Sequence, residues 1–414
     1  MAKAALWRVN WHALLHLLTL IGIMTAAPTP SQPSKTAPTP HGLSLDEISR
    51  AISFARITLI IGLVFVHFGP FPNSAASPLA GLDTQNHQFA TWLNSAVRLF
   101  FYTVVPLLSM ISGWLFFTFM GDPWTSIKTR MRRRAKSLYL PLVAWNAIYM
   151  IGTYALFRIN PHYPLFDVLN IKYANASWLN YIDAVFGIAH RPLAFQFWFV
   201  RDLFVTAMIS PLLWLMIKHI PWLGAAALCA AWLCNSHLVI FFRPDVVFFF
   251  YLGALVHQKK LSIVMPLPLV AGLVALYLLW AGLRALAPYI VVFDGDHGPL
   301  WIEVATRAMR LIGVIGWWGI MYRAAQTRAG GAIGEYGGVA FFLHAAHWPL
   351  LAIIKIELWR LLPGDSDFWM VAHYFASVAL TVLIGTSLGV FLARKTPGLF
   401  AFMNGGRALA RPKA

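Results

Sequence analysis

From residue 50 to residue 393 the chain repeats one pattern, an apolar run of membrane-crossing length followed by a short polar break. A span needs about 20 mostly apolar residues, because a helix rises 1.5 Å per residue through roughly 30 Å of hydrocarbon. Such runs fall near 50–69, 94–120, 137–157, 194–217, 221–241, 243–257, 264–286, 301–322, 336–358 and 371–393. Lipid offers no partner to a bare peptide group, so these runs are expected to fold as helices. The pattern predicts an all-α polytopic membrane protein with about ten transmembrane helices. The sixth run is short, which suits a tilted, broken or re-entrant segment. Composition agrees, with 59% hydrophobic and 11% charged residues, where soluble domains carry about 25% charged.

Lys and Arg set the expected orientation. The link between the second and third runs holds Lys128, Arg130, Arg132, Arg133, Arg134 and Lys136, which marks it as cytoplasmic. Alternation then puts Lys218, Lys259, Lys260, Arg323, Arg328 and the tail from Arg394 on the same side. The connections 70–93, 158–193, 287–300 and 359–370 face outward and hold Asp83, Asp167, Asp183, Asp294, Asp296, Asp365 and Asp367. The expectation is a multi-pass inner-membrane protein with both ends of its core in the cytoplasm. Residues 1–42 read as a hydrophobic segment and Pro/Ser/Thr-rich linker, 43–395 as the membrane domain, and 396–414 as a basic cytoplasmic tail. The net charge of +17 then records basic inner loops, and nucleic acid is not an expected partner. Cys229 and Cys234 lie in one apolar segment and read as packing residues.

A charge at membrane depth costs roughly 2.5–3.5 kcal/mol on insertion scales, so each one is a functional candidate. Arg56 and His67 are 11 positions apart in the first run. That is about three helical turns, which places them on nearly one face and roughly 16 Å apart along the axis. Without a function, Arg56 is a snorkelling residue and His67 an interfacial one. With one, a His titrating near neutral pH suits a general base for a hydroxyl acceptor. Trp198, Arg201 and Asp202 open the fourth run, where structural ion pairing and active-site ordering are both open. Glu335, His344 and His347 lie in the ninth, with the two His three apart on one face. A His pair without a third ligand is poor evidence for metal, and none is expected. Arg130, Arg132, Arg133 and Arg134 serve topology by default, but Arg also matches phosphate bidentately. No glycine-rich phosphate loop of the Walker or dinucleotide type is present in the sequence.

The order of these elements resembles the membrane-bound acyltransferase family 3, the polysaccharide and lipopolysaccharide O-acyltransferase type. Arg56 and His67 are similar to its Arg-X10-His pattern, and Ser112-Gly113-Trp114 to its Ser-Gly-aromatic element. Arg132 to Arg134 before Leu138-Tyr139-Leu140-Pro141 resembles its basic loop, and Trp198 to Leu203 its Trp-Phe-rich fourth span. Gly334-Glu335-Tyr336 to His344 resembles a late element in which Phe342 replaces the usual Tyr and Glu335 a common Ser. The resemblance implies transfer of an acyl group, most simply acetyl, from cytoplasmic acyl-coenzyme A to a hydroxyl of an exported glycan. Acyl-coenzyme A is then a co-substrate, with no permanently bound cofactor. Arg56, Arg130, Arg132, Arg133 and Arg134 are expected to receive it. His67 is expected at the reaction as base or acyl carrier, with Asp202, Glu335 or His344 orienting it, and Trp198, Arg201 and His347 toward the substrate. The acceptor is a glycan or lipid-linked sugar, with polysaccharide-synthesis machinery as a further partner. Asn175, Trp178, Asn180 and Asp183 in an outer connection suit sugars. The competing reading is a transporter or flippase of a lipid-linked sugar.

Overall fold

The first helix, α1 (Leu45–His67), starts at a capping box. The Ser44 hydroxyl accepts from the Glu47 amide at 3.2 Å, and the Ser44 amide donates to the Glu47 carboxylate at 3.0 Å. This satisfies two donors that a helix start leaves bare. At its far end Lys355 Nζ donates to the carbonyls of Phe68, at 3.0 Å, and Pro70. Arg56 and His67 therefore sit on one unbroken helix, as their spacing predicted. The computed structural model describes residues 44–74, 76–119 and 121–409. The whole expected 1–42 extension and the last five residues of the tail lie outside the described residues.

The helices that follow are α2 (Gln88–Phe100) and α3 (Val104–Phe116), joined by a 3-10 turn at Phe101–Thr103. α4 (Pro123–Arg134) runs through a π-turn into α5 (Leu140–Ile159), and α6 (Trp178–Phe186) is short. α7 (Phe197–Met208) and α8 (Ser210–His219) form a pair bent by 60°. Next come α9 (Pro221–Leu233), α10 (Asp245–Gln258), α11 (Leu267–Ala285) and α12 (Leu300–Ala324). The chain ends with α13 (Arg328–Gly334), α14 (Ala340–Leu361), α15 (Asp367–Lys395) and α16 (Pro397–Met403). Among the described residues there is no strand beyond an isolated bridge between Asp294 and His297.

Every apolar run predicted from sequence lies on a helix or on the bent pair. Six stretches are long and apolar enough to cross a membrane, or seven with α7–α8 as one span, where the sequence suggested about ten. The difference falls on α9 and α10, at 13 and 14 residues, and on α12, which carries Glu303, Arg307 and Arg310. A helix of 13 or 14 residues reaches only about 20 Å, too short to cross roughly 30 Å of hydrocarbon.

α1 lies inside the bundle, touching α3, α12, α13, α14 and α15. Around it the closest crossing is α3 on α10. A Cβ on Gly113 would lie 1.9 Å from the Phe250 carbonyl oxygen, and one on Gly253 1.9 Å from that of Met110. The two glycines let the backbones touch, the small-residue packing expected of helices in lipid.

Candidate functional site

His67 Nδ1 lies 2.8 Å from His347 Nε2, and the two rings stack at 5.1 Å. His347 Nδ1 in turn approaches the Leu343 carbonyl at 3.3 Å. A carbonyl only accepts, so the proton on His347 belongs on Nδ1 and its Nε2 is the acceptor. His67 must then donate through Nδ1, which leaves the lone pair on its Nε2. This tautomer assignment follows from the hydrogen-bond chain. Phe195 packs edge-on against the His67 ring at 4.7 Å.

His347 owes its place to the proline two residues on. Pro349 has no amide hydrogen, so the Ala345 carbonyl loses its helical partner, and α14 kinks where Trp348 leaves helical geometry (φ −121°, ψ 129°). Gln196 Nε2 donates to the freed carbonyls of Ala345 and Trp348, at 3.0 Å each. Tyr149 also donates to the Ala345 carbonyl, at 2.9 Å. Neither Gln196 nor Tyr149 stood out in the sequence. The available signal was Pro349 inside an apolar run, which demands such a donor. His344 is buried beside His347 with both ring nitrogens unbonded among the described residues, walled by Phe197, Phe199 and Phe341.

About three turns before His67, at the middle of α1, the arginines gather around Arg56. Arg134 and Arg407 both lie within electrostatic reach of Arg56. Arg134 is held by Ser112, whose hydroxyl accepts from its Nη2 at 3.1 Å. Arg407 arrives from the tail, which turns at Gly405 (φ +68°) and Gly406 (φ +78°). Asn404 fixes that turn, donating to the carbonyls of Gly338 and Arg407 and accepting from the Phe342 amide at 2.9 Å. Burial, and behind it Arg56 and Arg134, push the Arg407 guanidinium down to about 9, still charged at neutral pH. None of Arg56, Arg134 and Arg407 forms an ion pair among the described residues. Three clustered guanidiniums without a carboxylate have the chemistry to hold a polyanion.

Of the other expected cofactor residues, Arg130 is occupied. It donates to the carbonyls of Leu115, Phe116 and Thr118, closing the end of α3. Arg132 and Arg133 are exposed on α4. Glu335 is exposed beside the Arg56 end, where the following turn packs Gly337 on the Ser53 carbonyl. It is not brought to His67.

Asp202 is not at His67 either. Its buried carboxylate accepts from the amides of Phe242 and Arg243, at 3.2 and 2.9 Å, and from Arg201 at 2.9 Å. Arg201 also donates to the carbonyls of Gly187, Ile188 and Ile240, tying three segments together. Trp198 lies 5.0 Å beneath the Arg243 guanidinium. Beside these residues is an outer pocket of about 580 Å³ lined by Asn170, Asn175, Asn180, Asp183, His190 and Arg191, among others. Trp178, which sequence grouped with them, points outward and is 69% exposed. Partial burial works to raise the pKa of Asp183, but the Ala189 amide and the His190 ring and amide outweigh it and hold the carboxyl below its ordinary value.

A family model described as an acyltransferase domain matches residues 49–390. The succinoglycan biosynthesis protein ExoH of Rhizobium meliloti (strain 1021) is 28% identical over 373 residues, covering 89% of this chain and 95% of the relative. No solved structure matches.

Proposed function

Because the chain belongs to the acyltransferase family whose domain spans residues 49–390, we propose that it moves an acyl group from acyl-coenzyme A to a hydroxyl of an exported glycan. The observation that carries this reading is α1 itself, with an imidazole pair at its end and an arginine trio around Arg56, about three turns earlier. Coenzyme A is a polyanion on a long flexible arm. Its phosphates dock on Arg56, Arg134 and Arg407 at the basic, cytoplasmic face, and the arm carries the thioester toward His67. The name of the relative, a succinoglycan biosynthesis protein, supports a polysaccharide acceptor. The outer pocket, with three amide side chains beside Asp183, His190 and Arg191, suits such an acceptor.

His67 Nε2 takes the proton of the acceptor hydroxyl as that oxygen attacks the thioester carbonyl carbon. The carbon–sulfur bond breaks, and the departing thiolate recovers the proton, leaving an ester and free coenzyme A. His347 fixes the His67 tautomer and shares the positive charge while it lasts.

The test follows thiol release from acetyl-coenzyme A and label transfer to an extracted exopolysaccharide, using purified protein in lipid. Removing a general base costs about 10²–10⁴ in rate, so folded His67→Ala should lose transfer by that factor. Full transfer by His67→Ala rejects the assignment, and a wild type without transfer from any acyl-coenzyme A rejects the activity.

A further inference from the structure

A second group of arginines, half-buried at Arg98 and Arg243 and buried at Arg310, lies at the depth of His67, separate from the trio around Arg56. On α2, Asn94 donates to the Gly69 carbonyl at 2.9 Å, two residues beyond His67. Phe101, just past the end of α2, stacks on Phe65 at 5.3 Å, two residues before it. Arg98 falls between these two contacts and is therefore level with His67. Arg98 and Arg243 both act electrostatically on His67 and on each other.

The charges around them do not pair off, although Asp296 acts on Arg98 and Asp202 on Arg243 from a distance. Arg310 takes Asp245 at 3.0 Å, and Arg201 takes Asp202 at 2.9 Å. Arg243 reaches the phenol of Tyr102 at 2.7 Å and only the already paired oxygen of Asp245, at 3.9 Å. Arg310 lies flat on the Tyr102 ring at 3.7 Å. Arg98 has no hydrogen bond or ion pair among the described residues, and its Nε is shut away from solvent. The Nε of Arg310 and Oδ1 of Asp245 are likewise buried and unbonded. Arg98 and Arg243 are half-buried, so a guanidinium without a salt-bridge partner of its own there is open to an arriving anion. Arg191, which lines the outer pocket, is in electrostatic contact with Arg243 and Tyr102 and so links this cluster to the pocket.

We infer that Arg98 and Arg243, with the Tyr102 hydroxyl between Arg243 and Arg310, form a carboxylate-binding site beside His67 that selects a reactant carrying a free carboxyl group. The inference rests on the acyl-transfer reading for its purpose. The carboxylate has two possible sources, the far end of a dicarboxylic acyl chain or an acidic sugar of the acceptor. In either case the guanidinium fork binds the carboxylate and holds that reactant against the imidazole.

Two readouts test it. In transfer assays, succinyl-coenzyme A is compared with butyryl-coenzyme A, and an oligosaccharide containing galacturonate with its galactose counterpart, for wild type, Arg98→Gln and Arg98→Lys. Losing one charge-assisted hydrogen bond should lower kcat/KM for the carboxylated reactant about 10- to 100-fold, spare the uncharged one, and be partly restored by Lys. A loss with succinyl-coenzyme A places the carboxylate on the donor, and a loss with galacturonate places it on the acceptor. The second readout needs no turnover. Succinate or galacturonate, unlike butyrate or galactose, should raise the Tm of wild type and not of Arg98→Gln. Equal losses for charged and uncharged reactants, or Tm shifts that ignore both the carboxylate and the substitution, overturn the site. The Tm readout keeps it testable even if acyl transfer itself fails.

Discussion

His67 shares one ring nitrogen with His347, 2.8 Å away, and leaves the other to react. The usual orienting group for a catalytic His is a carboxylate, and sequence pointed to Asp202, Glu335 or His344 for that part. The structure puts an imidazole there, that of His347. Asp202 anchors the start of the Arg243 segment, and Glu335 stays near the Ser53 and Phe54 turn of α1. Arg56 and His67 were legible because spacing on one helix fixes relative position with no tertiary knowledge. Arg407 was not, because its approach depends on a turn at Gly405 and Gly406 that returns the tail to the bundle. A basic tail looks the same in sequence whether it is solvated or folded back. If Arg407 closes the coenzyme A site, Arg407→Ala should raise the KM for acetyl-coenzyme A about 10- to 100-fold, the worth of a charge-assisted hydrogen bond, with kcat little changed. An unchanged KM in steady-state kinetics removes Arg407 from the site.

The elements that carry the two imidazoles are held by opposite devices. α1 is a continuous helix with both ends capped, so His67 is fixed by regularity. α14 is broken, and His347 is fixed by what repairs the break. Gln196 satisfies two carbonyls that Pro349 leaves without helical partners. Replacing it with Leu keeps the volume and removes both donors, while Tyr149 still serves Ala345. A buried unpaired carbonyl costs about 1–3 kcal/mol, so Gln196→Leu should lower the Tm in detergent by that equivalent and reduce kcat through a misplaced His347. An unaltered Tm contradicts this account of the kink. The Ser112-Gly113-Trp114 element also becomes intelligible at this scale. Ser112 holds Arg134, and Gly113 admits the α10 backbone. Sequence marked the element but not these contacts, since both partners are remote in the chain.

At the scale of the molecule, hydropathy located the long apolar helices but not how many cross, and it missed α4, α6, α13 and α16 in the connections and tail. Periodicity reports that a segment is apolar, and it cannot distinguish a span from a shorter helix. α9 and α10 are shorter helices, and α10 is buried over most of its residues. Charge reports the polarity of the bundle more directly. Arginines without acidic partners gather around Arg56, and Asp183 with three amides lines the pocket that Arg191 and Arg243 link to the His67 end. This polarity is the basis of the central claim, that donor and acceptor meet from opposite faces along a single helix. The most direct measurement uses proteoliposomes of known orientation, with radiolabelled acetyl-coenzyme A confined to one side and the exopolysaccharide acceptor to the other. The account predicts label on the glycan only when acetyl-coenzyme A is on the side of the α16 tail, and its loss in His67→Ala. Transfer that requires both substrates on the same side contradicts it.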